Sequence, residues 1–120
     1  MPNLLAVFIG GGIGSVIRYL IGKGTVNIMG DFPIGTLIAN VCATAILAFA
    51  LSFWGNSDST PSWLSALVIA GFCGGFSTFS TFSVDTVKLY TSGHTGLALA
   101  NVLISVIGCA FIAWMIVKKL

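Results

Sequence analysis

The chain has 120 residues, of which 57% are hydrophobic and only 7% charged, and its formal net charge is +2. This composition excludes a water-soluble globular domain and predicts an integral membrane protein. The small net charge, without a cluster of basic residues, excludes nucleic-acid binding. No linker or low-complexity segment divides the sequence, so we expect one domain over residues 1–120.

Four apolar stretches predict an all-α fold with four transmembrane helices. Each stretch has at least roughly the 20 residues that a helix needs to cross the hydrocarbon core of a bilayer. No basic region precedes the first stretch, so we expect it to be a retained span and not a cleaved signal peptide. The expected location is the cell membrane, as a multi-pass protein. The predicted spans are 4–22, 34–54, 63–90 and 96–117.

The first two spans carry residues that predict contacts between helices. Within "GGGIGS", Gly10 and Gly14 are four residues apart, a spacing that lets two helix backbones approach closely. Asn40 lies inside the second span, where its amide must find a partner in protein or water. We therefore expect an oligomer whose functional surface lies between helices.

The third span contains an unusual stretch, "GFCGGFSTFSTF", from Gly71 to Phe82. Gly74 and Gly75 each weaken a helix by about 1 kcal/mol relative to alanine, and the Ser and Thr residues that follow compete for backbone hydrogen bonds. We therefore expect a broken third helix, whose freed carbonyls need partners such as a bound cation. A glycine kink used only for packing is the alternative that this stretch leaves open.

Phenylalanines recur at every third position of this stretch, as Phe76, Phe79 and Phe82, and alternate with hydroxyl residues. The edge of an aromatic ring is weakly positive, so rings presented edge-on beside hydroxyl groups predict a lining that suits an anion. Packing in the core or against lipid is the alternative role for these rings.

The basic residues near the ends of the spans are almost evenly divided between the two sides of the membrane. Lys118 and Lys119 lie on one side, and Arg18, Lys23 and Lys88 on the other. Orientation normally follows an excess of positive charge in the cytoplasmic segments, and this sequence has almost none. We therefore predict dual topology, with copies in both orientations that form an antiparallel homodimer. Pairing with a homologous second subunit stays open.

Three motifs resemble those of the small dual-topology fluoride channels of microbes. They are "GGGIGSVIRY" in the first span, "GTLIAN" in the second and "GFCGGFSTFSTFS" in the third. The resemblance covers essentially the whole chain. It implies a passive, fluoride-selective channel and not an enzyme, in which two antiparallel copies in the lipid bilayer form two narrow fluoride pathways.

The resemblance also implies a role for individual residues. A structural sodium ion, which is not transported, would lie on the dimer axis and be held by the backbone carbonyls of Gly74 and Ser77. The ring edges of Phe79 and Phe82 would face the permeating fluoride. The other implied residues are Asn40, Ser80, Thr81 and Ser105 along the pathway and Arg18 at a vestibule. The fourth span departs from the family pattern, because the face that contains Ser105 continues through Cys109 and Ala113.

Two other functions compete with this one. A proton-coupled small multidrug exporter shares the length, the four spans and the dual topology, but it needs a glutamate inside the membrane. The sequence contains no glutamate, and Asp31 and Asp58 lie in predicted loops. A membrane subunit without transport would explain the hydropathy but not the glycine, serine and phenylalanine pattern. Asp85 and Lys88, three residues apart, predict an ion pair near the membrane surface, and a role in the pore is the alternative.

Overall fold

The computed structural model describes residues 2–54 and 58–119, and all the regular structure in these ranges is helical. Four segments are long and apolar enough to cross a membrane, so the predicted all-helical, four-span fold is confirmed. The shortest has 21 residues and reaches roughly 32 Å at ~1.5 Å per residue, enough for a hydrocarbon core of ~30 Å. The four segments are Pro2–Gly24, Ile34–Trp54, Ser62–Thr91 and Thr95–Lys118.

Three of the spans are single α-helices, whose bounds lie within two residues of the predicted ones. They are α1 (Pro2–Gly24), α2 (Ile34–Trp54) and, after the third span, α6 (Thr95–Lys119). The loop between α1 and α2 turns at Asn27 and Gly30, which both have positive φ angles. Glycine adopts such angles without strain, and asparagine tolerates them better than most residues.

The third span is built from several helical pieces. Between the last two of these, Ser77 and Thr78 have extended backbones, with φ and ψ angles of −82° and 155° for Ser77 and −152° and 122° for Thr78. The first half of the third span is mostly π-helical. A π-helix is wider than an α-helix and is rare over as many as eight residues, and the sequence analysis did not predict it. The pieces are α3 (Ser62–Ser65), the π-helix Ala66–Cys73, α4 (Gly74–Phe76) and α5 (Phe79–Thr91).

Helix α1 packs against the first half of the third span through a glycine seam, formed by Gly10, Gly11 and Gly14 of α1 with Gly71 and Gly75 of the third span. A Cβ atom added at Gly10 or Gly14 would collide with backbone of the third span, and one added at Gly75 would collide with the carbonyl of Gly11. The close approach predicted for Gly10 and Gly14 is therefore confirmed. The seam fixes the height of the third span relative to α1.

The buried core is small and lies where α1, α2 and α4 meet. Ala39 and Ala43 of α2 pack with Phe76, and partly buried side chains of α1, α2 and the π-helix surround them. Most other large apolar side chains point outward, as does Phe8, which is 79% exposed. In a bilayer the lipid chains cover such surfaces at no cost. The surrounding residues of the core are Ile17, Ile21, Ile46 and Phe72.

Candidate functional site

The interruption of the third span rearranges the backbone hydrogen bonds around Ser77 and Thr78. The amide of Ser77 donates to the carbonyl of Cys73 at 3.0 Å, and the Ser77 hydroxyl donates to the same carbonyl at 2.8 Å. The Thr78 hydroxyl caps α5, because it accepts a hydrogen bond from the amide of Thr81 at 3.2 Å. Buried backbone groups need such partners wherever the regular helix ends.

Asn40 of α2 holds the extended backbone of Thr78 from the side. Its Oδ1 atom accepts from the Thr78 amide at 2.8 Å, and its Nδ2 atom donates to the Thr78 carbonyl at 3.2 Å. The predicted need of Asn40 for a polar partner is thus met by the interruption itself. We refer to this pair of hydrogen bonds as the Asn40 clamp.

The carbonyl groups of Gly74, Gly75 and Ser77 differ in what they bind. The Gly75 carbonyl accepts from Nε of Arg18 at 3.1 Å and from the hydroxyl of Ser15 at 3.4 Å. Within residues 2–54 and 58–119, no hydrogen bond ends at the carbonyl of Gly74 or Ser77. These are the two carbonyls predicted to hold sodium, and unpaired oxygens of unwound backbone are suitable ligands for it.

A cavity of about 250 Å³, the central cavity, opens beside the interruption. It brings together five of the predicted site residues, which come from α2, the third span and α6, and no charged side chain lines it. Hydroxyl, amide and aromatic groups therefore dominate its surface. The lining residues are Asn40, Thr44, Ser77, Thr78, Phe79, Phe82, Ser105, Val106 and Cys109.

The two predicted aromatic residues lie side by side in this cavity but differ in exposure. The ring centroids of Phe79 and Phe82 are 5.7 Å apart, and the ring planes are tilted by 48°. Phe82 is 9% exposed, whereas Phe79, at the start of α5, is 78% exposed. The ring of Phe82 is therefore held by its own chain, and the ring of Phe79 is free on one side.

A second cavity of about 250 Å³, the vestibule cavity, lies near the end of α1 and contains two further predicted residues, Arg18 and Thr81. Thr78 lines both cavities. Ser80 lines neither of them; its exposed hydroxyl lies 3.3 Å from that of Thr78. The lining residues are Arg18, Tyr19, Gly22, Lys23, Val26, Gly35, Thr36, Thr78 and Thr81.

A chain of hydrogen bonds joins α6 to α5 behind the central cavity. Ser105 donates to Oδ1 of Asn101 at 3.4 Å, and Nδ2 of Asn101 donates to the Thr86 hydroxyl at 2.9 Å. Thr86 in turn donates to the carbonyl of Phe82 at 2.8 Å. Asn101 is only 1% exposed, and the sequence prediction gave it no role. An amide inside an apolar span was the signal that could have identified it.

The predicted ion pair between Asp85 and Lys88 is wrong. Among the described residues, neither side chain forms an ion pair with the other, and Oδ2 of Asp85 accepts a hydrogen bond from the Thr36 hydroxyl at 2.9 Å. The reason is tertiary, because α2 brings a neutral donor to the carboxylate while Lys88 is exposed.

The Asn40 clamp leads to a prediction about stability. We expect Asn40→Ala to lower the free energy of unfolding by at least about 2 kcal/mol, because it leaves an amide and a carbonyl of Thr78 unpaired. Thermal unfolding of the purified protein in detergent measures the change. Thr44→Val is the matched control, since among the described residues the Thr44 hydroxyl bonds only to a carbonyl of its own helix. Equal losses in both variants would contradict the clamp.

Together, these features define a small multi-pass membrane protein, in which the central and vestibule cavities lie beside the interruption of the third span. Residues 5–117 match the family model described as "CrcB-like protein, Camphor Resistance (CrcB)". The chain belongs to this family.

Curated relatives are similar over most of the chain. The "Fluoride-specific ion channel FluC" of Proteus mirabilis (strain HI4320) is 40% identical over 116 residues, which are 93% of this chain and 94% of the relative. The protein of the same name from Klebsiella pneumoniae (strain 342) is 42% identical over 106 residues, 88% of this chain and 83% of the relative. "Fluoride-specific ion channel FluC 1" of Yersinia pestis is 42% identical over 107 residues, with shares of 88% and 84%.

Proposed function

We propose that this chain forms a fluoride-selective ion channel, which exports fluoride from the cytoplasm by passive electrodiffusion and so reduces its toxicity. The observation that carries this proposal is the near-full-length similarity, at 40 to 42% identity, to relatives named fluoride-specific ion channels. The proton-coupled exporter has no such support, and the sequence lacks the glutamate on which that mechanism depends.

The chemistry of the central cavity fits the proposed ion. Fluoride is small and strongly hydrated, so it enters a narrow path only where hydrogen-bond donors replace its water. The Asn40 amide is such a donor, because Nδ2 has a second hydrogen beside the one that it gives to the Thr78 carbonyl. The hydroxyl groups of Thr44 and Ser105 donate to protein oxygens and would have to turn to the ion as it passes. The positive ring edges of Phe79 and Phe82 complete the lining. Because no cationic side chain lines the cavity, the ion is not bound too tightly to leave.

Efflux from liposomes tests this function. Vesicles that contain the protein and are loaded with fluoride should release it when a potassium ionophore balances the charge, as recorded with a fluoride-selective electrode. The same vesicles loaded with chloride should release almost none. Equal efflux of the two anions, or no fluoride efflux at all, would overturn the proposal.

We further propose that the working unit is an antiparallel homodimer. The almost even division of basic residues supports dual topology. The exposed backbone of Gly74, where an added Cβ atom would meet nothing within 4 Å, and the exposed ring of Phe79 support a second copy that covers this face. Reporter fusions at the C-terminus should therefore give signals for both orientations in cells, and a single orientation would exclude the antiparallel dimer.

The interruption at Ser77 and Thr78 is the part of the third span that we assign to a structural sodium ion. The carbonyls of Gly74 and Ser77 would hold it, since they are hard oxygen ligands that accept no hydrogen bond within the described part of the chain. When bound, the ion would supply a fixed positive charge that satisfies the lone pairs of these carbonyl oxygens.

Removal of sodium should therefore weaken the dimer. We expect purification in a large organic cation, such as N-methyl-D-glucamine, to lower the melting temperature and to stop fluoride efflux. Addition of sodium should restore both properties, whereas restored ionic strength alone should not. A melting temperature and an efflux rate that are unaffected by the exchange would remove sodium from the proposal.

A further inference from the structure

The guanidinium group of Arg18 was expected to add positive potential to a vestibule, but its contacts point to a second role. Arg18 lines the vestibule cavity, yet its Nε atom donates to the backbone carbonyl of Gly75 at 3.1 Å. The Ser15 hydroxyl approaches the same oxygen at 3.4 Å. A charged donor makes a stronger hydrogen bond than a neutral one, and a membrane interior of low dielectric strengthens it further.

The glycine seam brings these donors to Gly75. Gly11, Ser15 and Arg18 are separated by four and then three residues, so they lie along one face of α1. At Gly11, the backbones of α1 and the third span approach so closely that a side chain on Gly75 would collide with the Gly11 carbonyl. Ser15 and Arg18 lie about one and two turns after Gly11 on the same face of α1. Their side chains therefore reach the Gly75 oxygen while α1 stays a regular helix.

Along the chain, the Gly75 carbonyl lies between the carbonyls of Gly74 and Ser77, which are proposed to hold sodium. In an uninterrupted helix the Gly75 carbonyl would accept from the amide of residue 79, four residues later. Here α1 supplies side-chain donors to Gly75, while α2 holds Thr78 through the Asn40 clamp. Helix α1 thus holds the Gly75 carbonyl just before the interruption, and α2 holds the amide and the carbonyl of Thr78 within it. The carbonyls of Gly74 and Ser77 stay without donors from the described residues.

We infer that Arg18 is a positioning residue, which binds the Gly75 carbonyl and thereby keeps the Gly74 and Ser77 carbonyls in the arrangement that binds the cation. This inference rests on the proposed sodium site. It assigns Arg18 a geometric role that a lysine cannot fill, because lysine carries the same charge but lacks the Nε–H and the rigid planar guanidinium.

The sodium dependence of the melting temperature of the purified protein separates this role from a charge effect. The melting temperature is measured while sodium replaces N-methyl-D-glucamine at constant ionic strength, and the midpoint is the sodium concentration that gives half of the stabilisation. We expect Arg18→Lys and Arg18→Gln to raise the midpoint by about tenfold or more, as expected for the loss of one hydrogen bond to a charged group. Ser15→Ala should raise it by a smaller factor.

Lys23→Gln is the matched control for charge. Lys23 also lines the vestibule cavity, but its ammonium group lies over the ring of Tyr19 and contacts no part of the interruption. Lys23→Gln should therefore leave the sodium midpoint unchanged, although both Lys23→Gln and Arg18→Gln remove one positive charge.

The sodium midpoints of these variants either support or overturn the positioning role of Arg18. A wild-type midpoint in Arg18→Lys overturns the inference, and so does an equal rise in Lys23→Gln and Arg18→Gln. If the Arg18 variants do not fold, an unchanged midpoint in Ser15→Ala overturns it, and a raised one supports it. A wild-type protein that conducts fluoride but does not respond to sodium overturns this inference and the sodium site, but not the channel. A protein that responds to sodium without conducting fluoride overturns only the channel.

Discussion

Phe82→Ile is expected to reduce fluoride efflux at least about tenfold, a change equivalent to ~1.4 kcal/mol in the barrier to permeation. The ring of Phe82 is buried and lines the central cavity, and we propose that its positive edge faces the fluoride path. Isoleucine fills a similar volume but has no such edge. Because apolar replacements of similar size usually cost less than about 1.5 kcal/mol of stability, the protein should stay folded.

Efflux from liposomes measures this effect, and gel filtration verifies that the variant elutes like the wild type. Phe79→Ile should behave in the same way, since its ring lies beside that of Phe82. Phe72→Ile is the matched control, because Phe72 packs against the small core and lines neither the central nor the vestibule cavity. Unchanged efflux in both Phe79→Ile and Phe82→Ile would mean that the two rings only fill space.

Gly14→Ala is expected to lower the stability of the protein strongly, because Gly14 lies in the glycine seam. The added Cβ atom would collide with the Phe72 carbonyl and lie 2.8 Å from the Phe76 amide nitrogen. Both atoms belong to backbone that cannot rotate away, so we expect a cost of about 3 kcal/mol or more in the free energy of unfolding. Denaturation in detergent, followed by circular dichroism, measures it.

Gly12→Ala provides the matched control on the same helix. An added Cβ atom at Gly12 would meet nothing within 4 Å, and alanine favours a helix over glycine by about 1 kcal/mol. This variant should therefore be as stable as the wild type or more so. If Gly12→Ala and Gly14→Ala were equally stable, α1 and the third span could not be in backbone contact.

The four spans were predictable from hydropathy because a bilayer selects apolar helices by length alone. The detailed course of the third span was not. Gly74 and Gly75 suggested the place of the interruption, but the extended residues are Ser77 and Thr78. Gly75 packs against the backbone of α1. The helix is interrupted where Asn40 accepts a hydrogen bond from the Thr78 amide and the Thr78 hydroxyl accepts one from the Thr81 amide. Local helix propensity includes neither the packing against α1 nor these hydrogen bonds.

The same limit applies to the candidate site. The sequence indicated which polar side chains needed partners, since Asn40 and Ser105 lie within apolar spans. It did not indicate the partners themselves, which lie far away along the chain. Asn40 binds a backbone 38 positions away, and Arg18 binds one 57 positions away. Residue types together with the family resemblance therefore predicted five of the residues that line the central cavity, whereas the hydrogen bonds that shape it depend on how the helices are placed together.

Because Thr78 lines both the central and the vestibule cavity, one residue is a wall that the two cavities share. The Asn40 clamp holds the backbone of that same residue. A substitution that displaces the Thr78 backbone should therefore reshape both cavities at once.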